Sequence, residues 1–157
     1  MEAKRLYEEA DHLFGKRTSL MMMWQEIAEN FYPERADFTH RRTLGTDFAS
    51  NLQSSYPVLS RRELGDQIGA MLRPTSKEWA KAVPSDMRRQ DHDATRWLEM
   101  SQAVQRRAMY DPASMFTRAA KEGDHDYAAF GQTVISVQLN RHYEHLLYRC
   151  SHLRDGI

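Results

Sequence analysis

The chain changes its hydrophobic period once, at Gly131, and that change limits what it can fold into. Before it, apolar residues recur at helical spacing. After it, Ile135, Val137 and Leu139 alternate with Ser136 and Gln138, and Leu146, Tyr148 and Cys150 repeat the alternation. A period near 3.6 places one stripe against a core, whereas a period of 2 places one face of a strand there. The sequence therefore predicts a helical region over 1–131 and the start of a β region over 132–157. Two strands alone are marginal in water, so the sheet is expected to be incomplete. The fold class is mainly α with a C-terminal β-hairpin (α+β).

Within the helical region the stripes divide into five. Leu6, Ala10, Leu13 and Phe14 define a helix over about 2–15, with Gly15 placed to end it. Thr18 is a fair N-cap for a second, over 18–32, whose inner face is Leu20, Trp24, Ile27, Ala28 and Phe31 and whose stop is Pro33. Residues 34–56 hold no sustained period and read as an extended arm. Pro57 opens a third helix over 57–73, with Leu64, Ile68, Met71 and Leu72 inward and Pro74 at its exit. Gly65 and Gly69, four apart on it, predict close packing against a neighbouring element. Trp79, Ala80, Ala82 and Val83 form a short extended segment. A fourth helix, over 91–110, has Ala94, Trp97, Leu98, Val104 and Ala108 inward. A fifth, over 112–130, is capped by Asp111 and faces inward through Phe116, Ala119, Ala120, Tyr127 and Phe130.

Composition narrows function by exclusion. The 22 Lys and Arg balance 22 Asp and Glu, which argues against a chain dedicated to wrapping phosphates. Cys150 is the sole cysteine, so no intrachain disulfide forms. The longest apolar run, Leu20 to Trp24, is far below the roughly 18 residues that span a bilayer. The N-terminus lacks the basic head and apolar run of a signal peptide, so the cytoplasm is expected.

No strong carrier of catalysis is present. The glycines are isolated, and no phosphate-cradling loop can be drawn. His142, His145, Cys150 and His152 tempt a metal assignment, but on a strand His142 and His145 point to opposite faces, and no second ligand pair closes the set. Asp124, His125 and Asp126 diverge by about 100° each on a helix, so they are expected on a solvated face. Neither catalytic residue, metal nor cofactor is assigned. Among the basic pairs, Arg41 with Arg42 and Arg61 with Arg62 flank the arm and suit contact with DNA phosphates or with an acidic neighbouring subunit; ordinary solvated surface is the bland alternative.

Three segments, in order, resemble the portal, or head-to-tail connector, family of short-tailed phages and prophages. They are WQEIAENFYPERADF from Trp24 to Phe38, RRELGDQIGAMLRPTSKEWAKAVP from Arg61 to Pro84, and the run from Trp97 through Tyr110, DPASMF and YAAFGQTVISV to Val137. The positions that carry the motif are Trp24, Glu26, Pro33, Arg35, Pro74, Trp79, Trp97, Phe116, Phe130 and Gly131. Departures from the family pattern fall in NLQSSYPVLSRRELG and at Met115 and Phe116.

The resemblance implies the N-terminal, helical wing-type region of a longer portal subunit, a homo-oligomer in a dodecameric ring at the capsid vertex. Such a ring serves DNA packaging and tail attachment. The implied partners are terminase, capsid and tail adaptor proteins, with non-specific contact with DNA and no membrane. The implied place is the virion, after assembly in the bacterial host cytoplasm, with the arm lying across an adjacent subunit. A small helical DNA-binding or regulatory protein is the competing class. Its recognition helix would carry Asp111, Glu122, Asp124 and Asp126, which phosphate repels.

Overall fold

The computed structural model describes residues 2–41, 43, 45, 49, 52–74, 77–83, 92–142 and 144–155. Arg42, Asp91 and most of the middle of the arm lie outside these residues. In chain order the elements are α1 (Glu2–Lys16), α2 (Thr18–Phe31), a 3-10 turn (Pro33–Arg35), α3 (Tyr56–Leu72), α4 (His92–Met109), a second 3-10 turn (Pro112–Ser114), α5 (Phe116–Phe130), β1 (Val134–Leu139) and β2 (Leu146–Ser151). The chain is mainly helical and ends in a two-stranded antiparallel hairpin.

The hairpin is in the register that alternation demands. Ile135 pairs with Cys150, Val137 with Tyr148 and Leu139 with Leu146, so all six face one way. Asn140 ties the turn, its backbone N–H donating to the His145 carbonyl at 2.8 Å and its Oδ1 accepting from the Glu144 N–H at 2.9 Å. The face is covered on the β2 side, where Phe116 meets Tyr148 edge-on with centroids 5.1 Å apart. On β1 it stays open: Ile135, Val137 and Leu139 are all exposed.

The core is small and joins distant parts of the chain. Trp24 and Ala28 of α2, Phe38 at the start of the arm, Phe130 at the end of α5 and Leu153 after β2 are its buried members. Phe38 lies 5.6 Å from the Trp24 ring centroid and 5.2 Å from that of Phe130, and Tyr32 stacks on Phe130 at 6.3 Å. Gly131 lets α5 stop at this point. Its φ of +69° is left-handed, and its N–H caps the Tyr127 carbonyl at 2.9 Å.

Several local expectations are corrected. α1 runs through Gly15 to Lys16, because a glycine in a helix lowers propensity without breaking the hydrogen-bond ladder. Thr18 does not cap α2; its hydroxyl donates to the Gly15 carbonyl instead. The helix expected over 112–130 is divided. Asp111 accepts from the Ala113 N–H at 2.8 Å and so caps only the 3-10 turn, and Met115 at φ +58° redirects the chain before α5 begins.

The apolar stripe of α3 points outward. Leu64, Met71 and Leu72 are exposed, Ile68 is half-buried, and the buried positions are Arg61 and Gly65. α5 approaches the glycine face, where a Cβ at Gly65 or Gly69 would run into His125 or Asp124. α4 has no buried residue, and Trp97, expected inward, is 67% exposed. None of the described helices is long and apolar enough to cross a membrane.

Candidate functional site

Two polar joints hold the elements together, and apolar faces lie outside them. The first joint sits beneath the YPER turn. Pro33 fixes the first position of the 3-10 turn and is buried, which carries Arg35 toward α5. Arg35 Nε donates to Asp126 Oδ1 at 3.1 Å, and the Asp126 side chain is 1% exposed. Burial raises the Asp126 carboxyl above the usual carboxylate range, with Arg35 opposing that rise. The Cys150 thiol donates to Asp126 Oδ2 at 3.5 Å, and burial first, then the Asp126 charge, pushes the thiol up to about 11. At that value the thiol stays protonated and unreactive at neutral pH.

The segment after β2 closes this joint from below. Arg154 reaches the Asp37 carbonyl at 2.7 Å and its carboxylate at 3.0 Å, while Arg17 donates to the Leu153 carbonyl at 2.7 Å. The Arg154 N–H donates to His152 Nδ1 at 3.0 Å, which leaves the ring's proton on Nε2. Nε2 faces Asp37 Oδ1 at 2.8 Å and the Arg35 carbonyl at 3.1 Å. Gln25 completes the set, its Oε1 accepting from the Phe38 N–H at 2.8 Å and its Nε2 donating to the Ala36 carbonyl at 3.2 Å. The root of the arm is thereby fixed to α2, to α5 and to the end of the hairpin.

The second joint is between α3 and α5. Asp124 pairs with Arg73, and Asp66 pairs with Lys121 at 3.2 Å. A side chain at Gly69 would come within 2.6 Å of Asp124 Oδ2, so the glycine makes room for that carboxylate. The solvated face expected for Asp124, His125 and Asp126 is therefore corrected: all three are turned into the protein, toward three different partners. The sequence signal for Asp126 was its spacing. It lies on the stripe Ala119, Gly123, Asp126, Phe130, every member of which is buried.

The other motif residues are structural or exposed. Trp79 donates from Nε1 to the Tyr110 hydroxyl at 2.8 Å and stacks on Phe116 at 6.5 Å, and Tyr110 meets Phe116 edge-on at 5.2 Å. Gln102 of α4 donates to the Ala80 carbonyl and accepts from the Ala82 N–H, both at 2.9 Å, holding the extended segment on that helix. Pro74 follows the α3 cap at Arg73 and is half-buried. Glu26 is exposed on α2, and its carbonyl accepts from Asn30.

The arginines separate. Arg61 is 7% exposed, its guanidinium 3.8 Å from the Tyr32 ring centroid and its Nε donating to the Phe31 carbonyl at 3.3 Å. Arg41 and Arg62 face solvent, and Arg42 lies outside the described residues. No group of metal-ligating side chains occurs among the described residues, and Cys150 and His152 are engaged by Asp126 and Asp37.

A model of the family described as bacteriophage head to tail connecting protein matches residues 3–154. The chain belongs to that family. The match spans both polar joints, the core and the hairpin. Comparison with curated proteins and with solved structures finds no match. Connectors are structural phage proteins, and in this connector Arg35 pairs with Asp126 and Arg73 with Asp124, while large apolar side chains of α1 and α4 are exposed.

Proposed function

We propose that the chain is a building block of a ring at one capsid vertex, through which DNA is packaged and to which the tail attaches. The observation that supports this reading is the amount of apolar helix surface left uncovered by the chain itself. Leu6, Tyr7 and Leu13 on α1 and Trp97, Met100 and Val104 on α4 are all exposed. Contiguous apolar patches of this kind mark contact surfaces. They lie on two different helices, and contact between unlike patches, repeated with a rotation that closes, generates a ring.

In the ring, twelve copies surround the DNA. Terminase, capsid and tail adaptor proteins are the further partners, and the finished assembly resides in the virion after building in the host cytoplasm. Arg41 and Arg62, exposed at the two ends of the arm, are free to meet phosphates or a neighbouring subunit's carboxylates. Native mass measurement and negative-stain imaging of the purified protein test the proposal. Closed rings are expected, and a monomer at every concentration would overturn it.

A further inference from the structure

Within the α3 to α5 joint, the His125 ring is mostly enclosed. The side chain is 12% exposed, and its Nδ1 has no hydrogen-bond partner among the described residues. Nδ1 points at Gly65, where a Cβ would overlap it, so the glycine's own hydrogen occupies the gap. A C–H facing a nitrogen lone pair is a weak but favourable contact. An N–H in the same place would meet that C–H head-on, buried and with no acceptor.

We propose that His125 is a pH-sensitive latch between α3 and α5, closed when its ring is neutral and released when Nδ1 takes up a proton.

The charged groups around the ring act in both directions. From α3, Arg61 and Arg62 oppose a second positive charge, while Asp66 Oδ1, 3.5 Å from Nε2, favours it. From α5, Lys121 opposes it and already shares Asp66 at 3.2 Å. Burial, with Arg61 next, holds the ring's pKa below the usual histidine value. A group depressed in the folded state contributes stability above its unfolded pKa, and that contribution is lost as pH falls from there through the folded pKa. The loss therefore begins just below the ordinary histidine range.

Release has a direction. α3 is the element that receives the far end of the arm, through Ser54 and Ser55 into Tyr56, whereas the near end is fixed at Phe38. Loosening α3 from α5 leaves α3 tied to α2 through Arg61, which covers the Tyr32 ring and donates to the Phe31 carbonyl, while the near end of the arm stays held.

Amide hydrogen exchange on the full chain at pH 7.5 and 5.5, normalised for intrinsic exchange, tests the latch. Protection in α3 and α5 is expected to fall by about five-fold or more between these values in the native protein. In His125→Gln, which cannot gain a charge, it is expected to change by less than about two-fold. An equal loss in both proteins, or none in the native one, would overturn the proposal. Should His125→Gln fail to fold, the native ring decides by NMR: titration at or above the usual histidine value contradicts the latch, and titration below it with simultaneous broadening of α3 supports it.

Discussion

Replacing Trp24 by alanine should remove about 3–5 kcal/mol of stability. Trp24 is 2% exposed and touches the start of the arm through Phe38 and the end of α5 through Phe130, with ring centroids 5.6 and 6.4 Å away. Its removal opens a cavity where three segments meet, and the neighbours that could collapse into it are themselves rings with fixed packing. Folded domains hold only about 5–15 kcal/mol in total, so much of the protein should be unfolded at a modest urea concentration. The matched control is Trp97→Ala. That side chain stands in solvent on α4, and its loss should change the unfolding free energy by no more than about 0.5 kcal/mol. Urea titration followed by circular dichroism measures both. Equal costs would mean that the core is not centred on α2.

The second large effect is expected at the buried ion pair. Asp126→Ala leaves the half-buried Arg35 guanidinium without its carboxylate, and breaking such a pair from one side costs about 3–5 kcal/mol. Arg35→Ala should cost a similar amount, because Asp126 then faces the interior alone. The double variant should be less damaging than the sum, since neither charge is left unpaired. The pH dependence has a definite sign. Burial raises the Asp126 pKa in the folded state, so this group favours folding below its unfolded pKa, and that contribution is lost as pH rises through the folded value. Asp126→Asn should remove this trend while keeping most of the shape. A double-mutant cycle by chemical denaturation checks the coupling, and strict additivity would contradict a direct Arg35 to Asp126 interaction.

The parts of the fold legible in the sequence are those governed by period alone. The hairpin was readable because a two-residue period fixes both strands' faces, and the observed pairs of Ile135 with Cys150 and Val137 with Tyr148 follow from it. The α2 stripe was readable because its residues are both apolar and inward, all but Phe31 belonging to the core or packing on it. α3 misled because two rules conflict there. Leu64, Met71 and Leu72 mark one face by hydrophobicity, Gly65 and Gly69 mark another by shape, and shape decided which face met α5.

α5 misled because carboxylates normally signal water. Asp124 and Asp126 are instead tied to arginines that lie 51 and 91 residues away in sequence, a separation no local pattern reveals. The exposed stripes of α1 and α4 are the reverse case: the period was present, but Leu6, Leu13, Trp97 and Val104 stay exposed. In the proposed ring, that surplus of apolar face would be covered at the contact between subunits.

The most direct measurement is oxidative footprinting of Trp97 and Met100 in the assembled particle and in the dissociated chain, read by peptide mass spectrometry. Both side chains are open to solvent in the single chain and should oxidise readily there. In the particle they should be protected, while exposed Met22 on α2 keeps its reactivity as an internal reference. Equal oxidation of Trp97 and Met100 in both samples would contradict a role for α4 in assembly.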